Sequence, residues 1–225
     1  MTKTNDSSNV IDGWPENVAK WLQVERCIPL AIAKHFGLGW DGFGVTIPIE
    51  GWVKRRNLLS YDPISGESSY GENKMVWTVK KEDGVLPPFP SWNELAVGDL
   101  IVEGEFDAIC AIAHGFMAVS GTAGSGSWNV EWSDATMGRV YTILYDNDRA
   151  GENGAIKVAE SLLSRGAPTV KIAKWPVDCP PGWDVTEHFR SGGTPEELQQ
   201  IINAAEAYVR RGPVRKGRVL GGIEL

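Results

Sequence analysis

Two patterns of apolar and polar positions divide this chain. After a polar opening, Val18, Trp21, Leu22 and Val24 recur at roughly helical spacing behind Trp14-Pro15-Glu16, which predicts a first helix. Pro29 opens a second, short helix through Phe36, and Gly37 ends it. The period then shortens. Residues 44–49 predict a strand, Glu50-Gly51 a turn and residues 52–59 a partner strand. Residues 61–73 hold Pro, Gly, Ser and Asn and read as a loop, and Met75 to Val79 predicts another strand. Pro87-Pro88-Phe89-Pro90 marks a boundary.

Beyond it, short apolar runs alternate with helix-period stretches. Strands are predicted at 99–103, 116–120, 139–145 and 169–173, with helices at 107–114 and 151–165. A Gly/Ser loop at 121–127 leads into a tryptophan-bearing stretch around Trp128 and Trp132. A short helix at 184–190 and a longer one at 195–210, N-capped by Thr194, complete the pattern. Repeated strand–helix units predict an α/β fold with a mostly parallel sheet flanked by helices on both faces. A small α+β subdomain precedes it. The expected organisation is a disordered N-terminus at 1–13, the subdomain at 14–90, the α/β domain at 91–210 and a basic tail or linker at 211–225.

The acids give this scaffold its chemistry. Glu103, Ser120, Asp146 and Asp148 all fall at predicted strand ends, where open α/β sheets place their active edge. Glu103-Gly104-Glu105-Phe106-Asp107 and Asp146-Asn147-Asp148-Arg149-Ala150-Gly151 each follow an apolar run, and Asp184-Val185-Thr186-Glu187 adds acid from a third segment. Carboxylates gathered at one edge repel one another, and a divalent cation is the usual reason for such a gathering. The expected ligands are Glu103, Asp107, Asp146, Asp148 and Asp184, holding Mg²⁺, with Mn²⁺ as a substitute. Asp107 lies one helical turn past Glu103, and Asp146 and Asp148 reach one place if the strand ends between them. Glu105 reads as a salt-bridge or surface residue. A lone D-x-D on a turn is usually solvated; its pairing with the E-G-x-x-D segment is what points to a site.

Composition narrows the setting. Apolar residues make up 42% and charged residues 23% of the 225, as in globular domains. No run approaches the roughly 18 apolar residues a membrane span needs. The polar N-terminus has no apolar signal core, so a cytoplasmic location is expected. Cys27, Cys110 and Cys179 offer no CxxC pair and read as core residues, as His35, His114 and His188 read as structural. A net charge of −7 excludes binding nucleic acid by bulk charge alone. Local basic surface exists at Lys54-Arg55-Arg56 and again at Arg210, Arg211, Arg215, Lys216 and Arg218.

The two acidic segments resemble the E-G-x-x-D and D-x-D segments of the toprim domain, which is shared by primases, type IA and II topoisomerases and certain nucleases. The resemblance covers roughly residues 98–190. It includes Gly115 to Thr122 as the second toprim strand with its glycine turn, and Asp184 to Phe189 as a later acidic segment. Leu38-Gly39-Trp40, Val45 to Ile49 and Trp52 to Asn57 are similar to the basic subdomain before toprim in DnaG-type and phage primases. The Ser127-Trp128-Asn129 loop is similar to that of phage and plasmid primase–helicases. The resemblance implies a Mg²⁺-dependent nucleotidyltransferase that joins ribonucleotides on single-stranded DNA, for a phage, plasmid or other mobile element. Glu103, Asp146 and Asp148 would be catalytic, and Lys54, Arg55, Arg56 and Arg149 would contact template or nucleotide phosphates. The implied partners are single-stranded DNA and NTPs, with a helicase or separate zinc-ribbon domain, since no Walker A sequence or zinc-binding cysteine set is present. A toprim nuclease and a non-catalytic nucleic-acid-binding or replisome adaptor are the alternatives.

Overall fold

The structure, a computed structural model, describes residues 13–210 apart from 72, 82–83, 124–127 and 137. All but Gly13 of the N-terminus expected to be disordered (1–13), the basic tail from 211 and most of the Gly/Ser loop therefore lie outside the described residues. None of the described helices is long and apolar enough to cross a membrane.

The N-terminal part begins with α1 (Glu16–Glu25) and α2 (Leu30–His35). α1 turns Val18, Trp21 and Leu22 inward, as helical spacing requires. A four-stranded antiparallel sheet follows. It is built from β1 (Gly39–Trp40), β2 (Gly44–Ile49), β3 (Trp52–Asn57) and β6 (Met75–Val79), in that spatial order. Glu50 and Gly51, both at positive φ, make the tight turn between β2 and β3. The segment read as a loop contains a two-residue ladder of β4 (Ser60–Tyr61) with β5 (Ser68–Ser69).

The second part starts at α3 (Trp92–Val97), N-capped by Ser91. Then come β7 (Leu100–Val102), α4 (Glu105–Ala113), β8 (Ala118–Ser120), α5 (Val130–Asp134), β9 (Val140–Leu144), α6 (Arg149–Ser164) and β10 (Thr169–Ile172). α7 (Val185–Arg190), α8 (Pro195–Asn203) and β11 (Glu206–Ala207) complete it. The sheet order is β11-β10-β9-β7-β8, parallel except for β11. Alternation sends Leu100 and Val102 to one face, with residues of α4 and α7, and Ile101 and Ile143 to the other, with residues of α6. The first of these cores also contains Trp21, Ile28, Val45, Ile47 and Ile49, so α1 and the antiparallel sheet share it with α4.

The helix expected over 195–210 stops at Asn203. Thr194 caps its start with a full capping box, as the sequence predicts. Its end is set elsewhere: Lys171 and Ile172 on the edge strand β10 take Ala207 and Glu206 as antiparallel partners, and pairing an open edge outweighs helix propagation.

Candidate metal centre

Strand order reverses between β7 and β9: β7 leads outward to β8 on one side, and the chain returns to β9 on the other. The crevice at that reversal, beyond the carboxyl ends of the strands, is where such sheets bind ligands. Three carboxylates meet there. Asp107, Asp146 and Asp184 each offer an oxygen within 4.8 Å of the others. Asp107 stands in the first turn of α4, Asp146 just past β9, and Asp184 at the N-cap of α7.

Local structure fixes each one. The Thr186 hydroxyl donates to Asp107 Oδ1 at 2.6 Å, and the Thr186 N–H adds a longer bond at 3.3 Å. Asp184 accepts from the Glu187 N–H at 2.6 Å, which holds its carboxylate at the start of α7. Asp146 is held through its backbone. Its carbonyl takes the Asp148 N–H at 2.8 Å and lies against Gly151, where a Cβ would come within 2.3 Å. Only glycine lets α6 start this close to the end of β9.

The electrostatics match a site built for a cation. Burial pushes the Asp146 carboxyl up to about 9, and the charges of Asp107, Glu103, Asp184 and Asp148 add to the rise. Burial raises Asp184 to about 7, with Asp107 the next contributor. Asp107 is also raised by burial, although Thr186 and Arg26 oppose this. Three acids that repel in a partly buried crevice gain most from a hard cation, whose charge reverses each shift. The all-oxygen donor set suits Mg²⁺ or Mn²⁺.

The other expected residues take varied positions. Glu103, after β7, lies outside the trio but near enough for its charge to raise Asp146. It lines a cleft of about 350 Å³ with Lys54, Met75, Trp77 and Thr122. Asp148 is exposed and caps α6, accepting the Gly151 N–H at 2.7 Å. Arg149 is exposed at the first position of α6.

Lys54-Arg55-Arg56 is split by strand alternation. Lys54 is buried, 2.5 Å from Glu105 Oε1 and 3.0 Å from the Thr122 carbonyl. Its charge is thus already matched by Glu105, a salt-bridge residue as its sequence context implies. Arg55 points the other way, to Asp41 at 2.9 Å and Asn57 at 2.7 Å. Arg56 returns to the inner face, its guanidinium 4.8 Å from the Tyr70 ring centroid and within Coulombic range of Asp107.

Sequence reasoning missed Arg26. It stacks 4.9 Å over Trp21 and 5.5 Å over Phe106, and its charge reaches both Asp107 and Asp184. Burial, then the neighbouring Arg26, disfavours the charged form of Arg56. Two guanidiniums thus border the acidic trio. A single arginine after an amphipathic helix carries no sequence signal; only tertiary packing brings it here.

Comparison with known proteins bears on the fold. Residues 100–187 match the family model Toprim_2, described as Toprim-like. The zinc-binding and RNA polymerase domains of the Aquifex aeolicus primase superpose with a TM-score of 0.65 at 18% identity, over 84% of this chain and 56% of that one. The DnaG catalytic core gives 0.63 at 16% identity, over 87% of this chain and 75% of that one. A DNA primase domain from Pseudomonas aeruginosa gives 0.56 at 16%, covering 86% and 61%. These identities establish a shared fold, and the chain spans only 56% of the first structure. No curated protein matches.

Proposed function

We propose that this chain, which carries a toprim domain and has the fold of primase catalytic cores, is a metal-dependent nucleotidyltransferase that makes short RNA primers on single-stranded DNA. The observation that carries the reading is the partly buried trio Asp107–Asp146–Asp184 at the reversal of strand order, bordered by Arg26 and Arg56. Nucleotide joining needs such a pairing of acids for a cation with guanidiniums for phosphate. The trio would hold Mg²⁺, with Asp148 and Glu103 available at its margin. Bound there, the ion supplies charge neutralisation for triphosphate oxygens.

The chain's own residues do the remainder. Arg26 and Arg56 are preorganised on aromatic faces and take phosphate oxygens without losing much freedom. Glu103 receives the proton as the 3′-hydroxyl forms its bond to the α-phosphorus and pyrophosphate departs. Lys54, held by Glu105, fixes the wall of the adjoining cleft. Arg149, exposed at the start of α6, meets the template backbone. A phage, plasmid or other mobile element is the proposed source, and a helicase or separate zinc-ribbon domain the proposed companion.

The test is a priming assay on single-stranded DNA with labelled NTPs and Mg²⁺ or Mn²⁺. De novo oligonucleotides that vanish on Asp146→Ala support the reading. Shortened DNA or RNA instead would assign the site to a toprim nuclease. Binding with neither product would make the chain an adaptor.

A further inference from the structure

Cys27 and Cys110 are distant in sequence, yet they are neighbours beside His114: Cys27 lines a cleft with it, and each thiol shifts the titration of the other. Cys27 occupies the turn between α1 and α2 at φ 51°, in the left-handed region that side chains other than glycine rarely adopt. Its neighbour's N–H, on Ile28, donates to the Leu22 carbonyl at 3.0 Å and holds the turn. The Cys27 thiol is half-buried and, with Gln23, Pro29 and His114, lines a surface cleft of about 320 Å³. Cys110 is fully buried on α4, one turn beyond Asp107, and its sulfur lies 3.9 Å from His114 Nδ1. Both thiols therefore converge beside one imidazole, one of them open to the cleft. Both are free.

The two thiols are not alike. The neighbouring Cys110 favours the thiolate at Cys27 against its partial burial, and the Arg190 charge helps. The neighbouring Cys27, then burial, keep Cys110 protonated. That asymmetry separates an attacking sulfur from a resolving one.

We propose that Cys27 and Cys110 form a redox-active thiol pair, in which Cys27 is oxidised by a hydroperoxide and Cys110 resolves it into an intramolecular disulfide. The Cys27 thiolate attacks a peroxide oxygen, forming an S–O bond as the O–O bond breaks, and the leaving hydroxide takes a proton to become water. The Cys110 sulfur then attacks the Cys27 sulfenic acid. An S–S bond forms, the S–O bond breaks, and the departing hydroxide leaves as water with the Cys110 proton. Two thiols and one hydrogen peroxide yield one disulfide and two waters. The product ties the turn that follows Arg26 to the helix that carries Asp107.

The experiment treats the folded full chain with hydrogen peroxide, blocks remaining thiols by alkylation, and maps the unreduced digest by mass spectrometry. The expected product is a Cys27–Cys110 cross-linked peptide, the intact mass falling by about 2 Da and recovering with dithiothreitol. Cys27→Ser should abolish the cross-link, and Cys179→Ser should leave it unchanged. The proposal is overturned if Cys27 stays alkylatable after peroxide, if it accumulates as sulfinic acid while Cys110 stays reduced, or if the cross-link joins Cys179.

Discussion

At the scale of single residues, the acids of this chain divide by environment. Asp146 is costly to keep ionised: burial and four like charges push its carboxyl up to about 9. Asp146→Asn removes that cost. Without metal, the variant is expected to be more stable at neutral pH by ~2 kcal/mol, which is about 5 °C in Tm for a chain of this size. It should also lose the stabilisation that Mg²⁺ is expected to give the parent. Thermal melts with EDTA and with Mg²⁺ read both effects, and a variant less stable than the parent in EDTA would contradict the assignment. Lys54 and Glu105 pose the opposite case, a buried pair already in balance. Lys54→Met alone should cost about 3–5 kcal/mol by leaving Glu105 unpaired, while the double change Lys54→Met with Glu105→Leu should be close to neutral. Urea unfolding of the two singles and the double gives the coupling directly. Glu105 was legible from sequence as a salt-bridge residue. Its partner was not, because a basic triplet on a strand looks continuous until alternation sends Lys54 and Arg56 inward and Arg55 outward.

At the scale of elements, Asp148 serves α6 as well as the site. Its side chain accepts the Gly151 N–H, and it stands where an N-cap is required. Asp148→Ala should cost ~1 kcal/mol of stability from the cap alone. Asp148→Asn should retain the cap and the stability. If Asp148 also acts at the proposed metal, Asn there still lowers the proposed priming activity although the fold is unharmed. Denaturation midpoints beside activity for the two variants separate the roles; equal stability of both would remove the cap from the account. Elements with strong local signals were the legible ones. α6 follows its acidic turn and Gly151, and α8 follows Thr194. The ends of elements were less so. α8 stops at Asn203 because the edge of β10 offers hydrogen-bond partners, and no local pattern encodes an edge strand lying beside it.

At the scale of the whole molecule, the crevice acids set the pH dependence. The folded pKa values of Asp146 and Asp184, about 9 and about 7, lie above the ordinary 3.8. The folded state therefore binds more protons than the unfolded state between those limits. The stability contributed by these groups is full below about pH 4 and is lost as pH rises through 7 and then 9. The metal-free protein should accordingly melt at lower temperature at pH 9 than at pH 5. Mg²⁺ should restore stability most strongly at the alkaline end and release protons as it binds. Melting curves across that range, with EDTA and with Mg²⁺, test this; a metal-free Tm that climbs between pH 5 and pH 9 would refute it. The sequence by itself determined the parallel α/β sheet, the antiparallel strand pair before it and the acids at strand ends, because periodicity and turn chemistry act over a few neighbouring residues. Only the tertiary structure decided which acids meet, because convergence depends on strand order. The reversal between β7 and β9 brings Asp107, Asp146 and Asp184 together from three segments. The shared core beneath α1 and α4 then sets Arg26 and Arg56 at their border, a juxtaposition that no local pattern in the chain encodes.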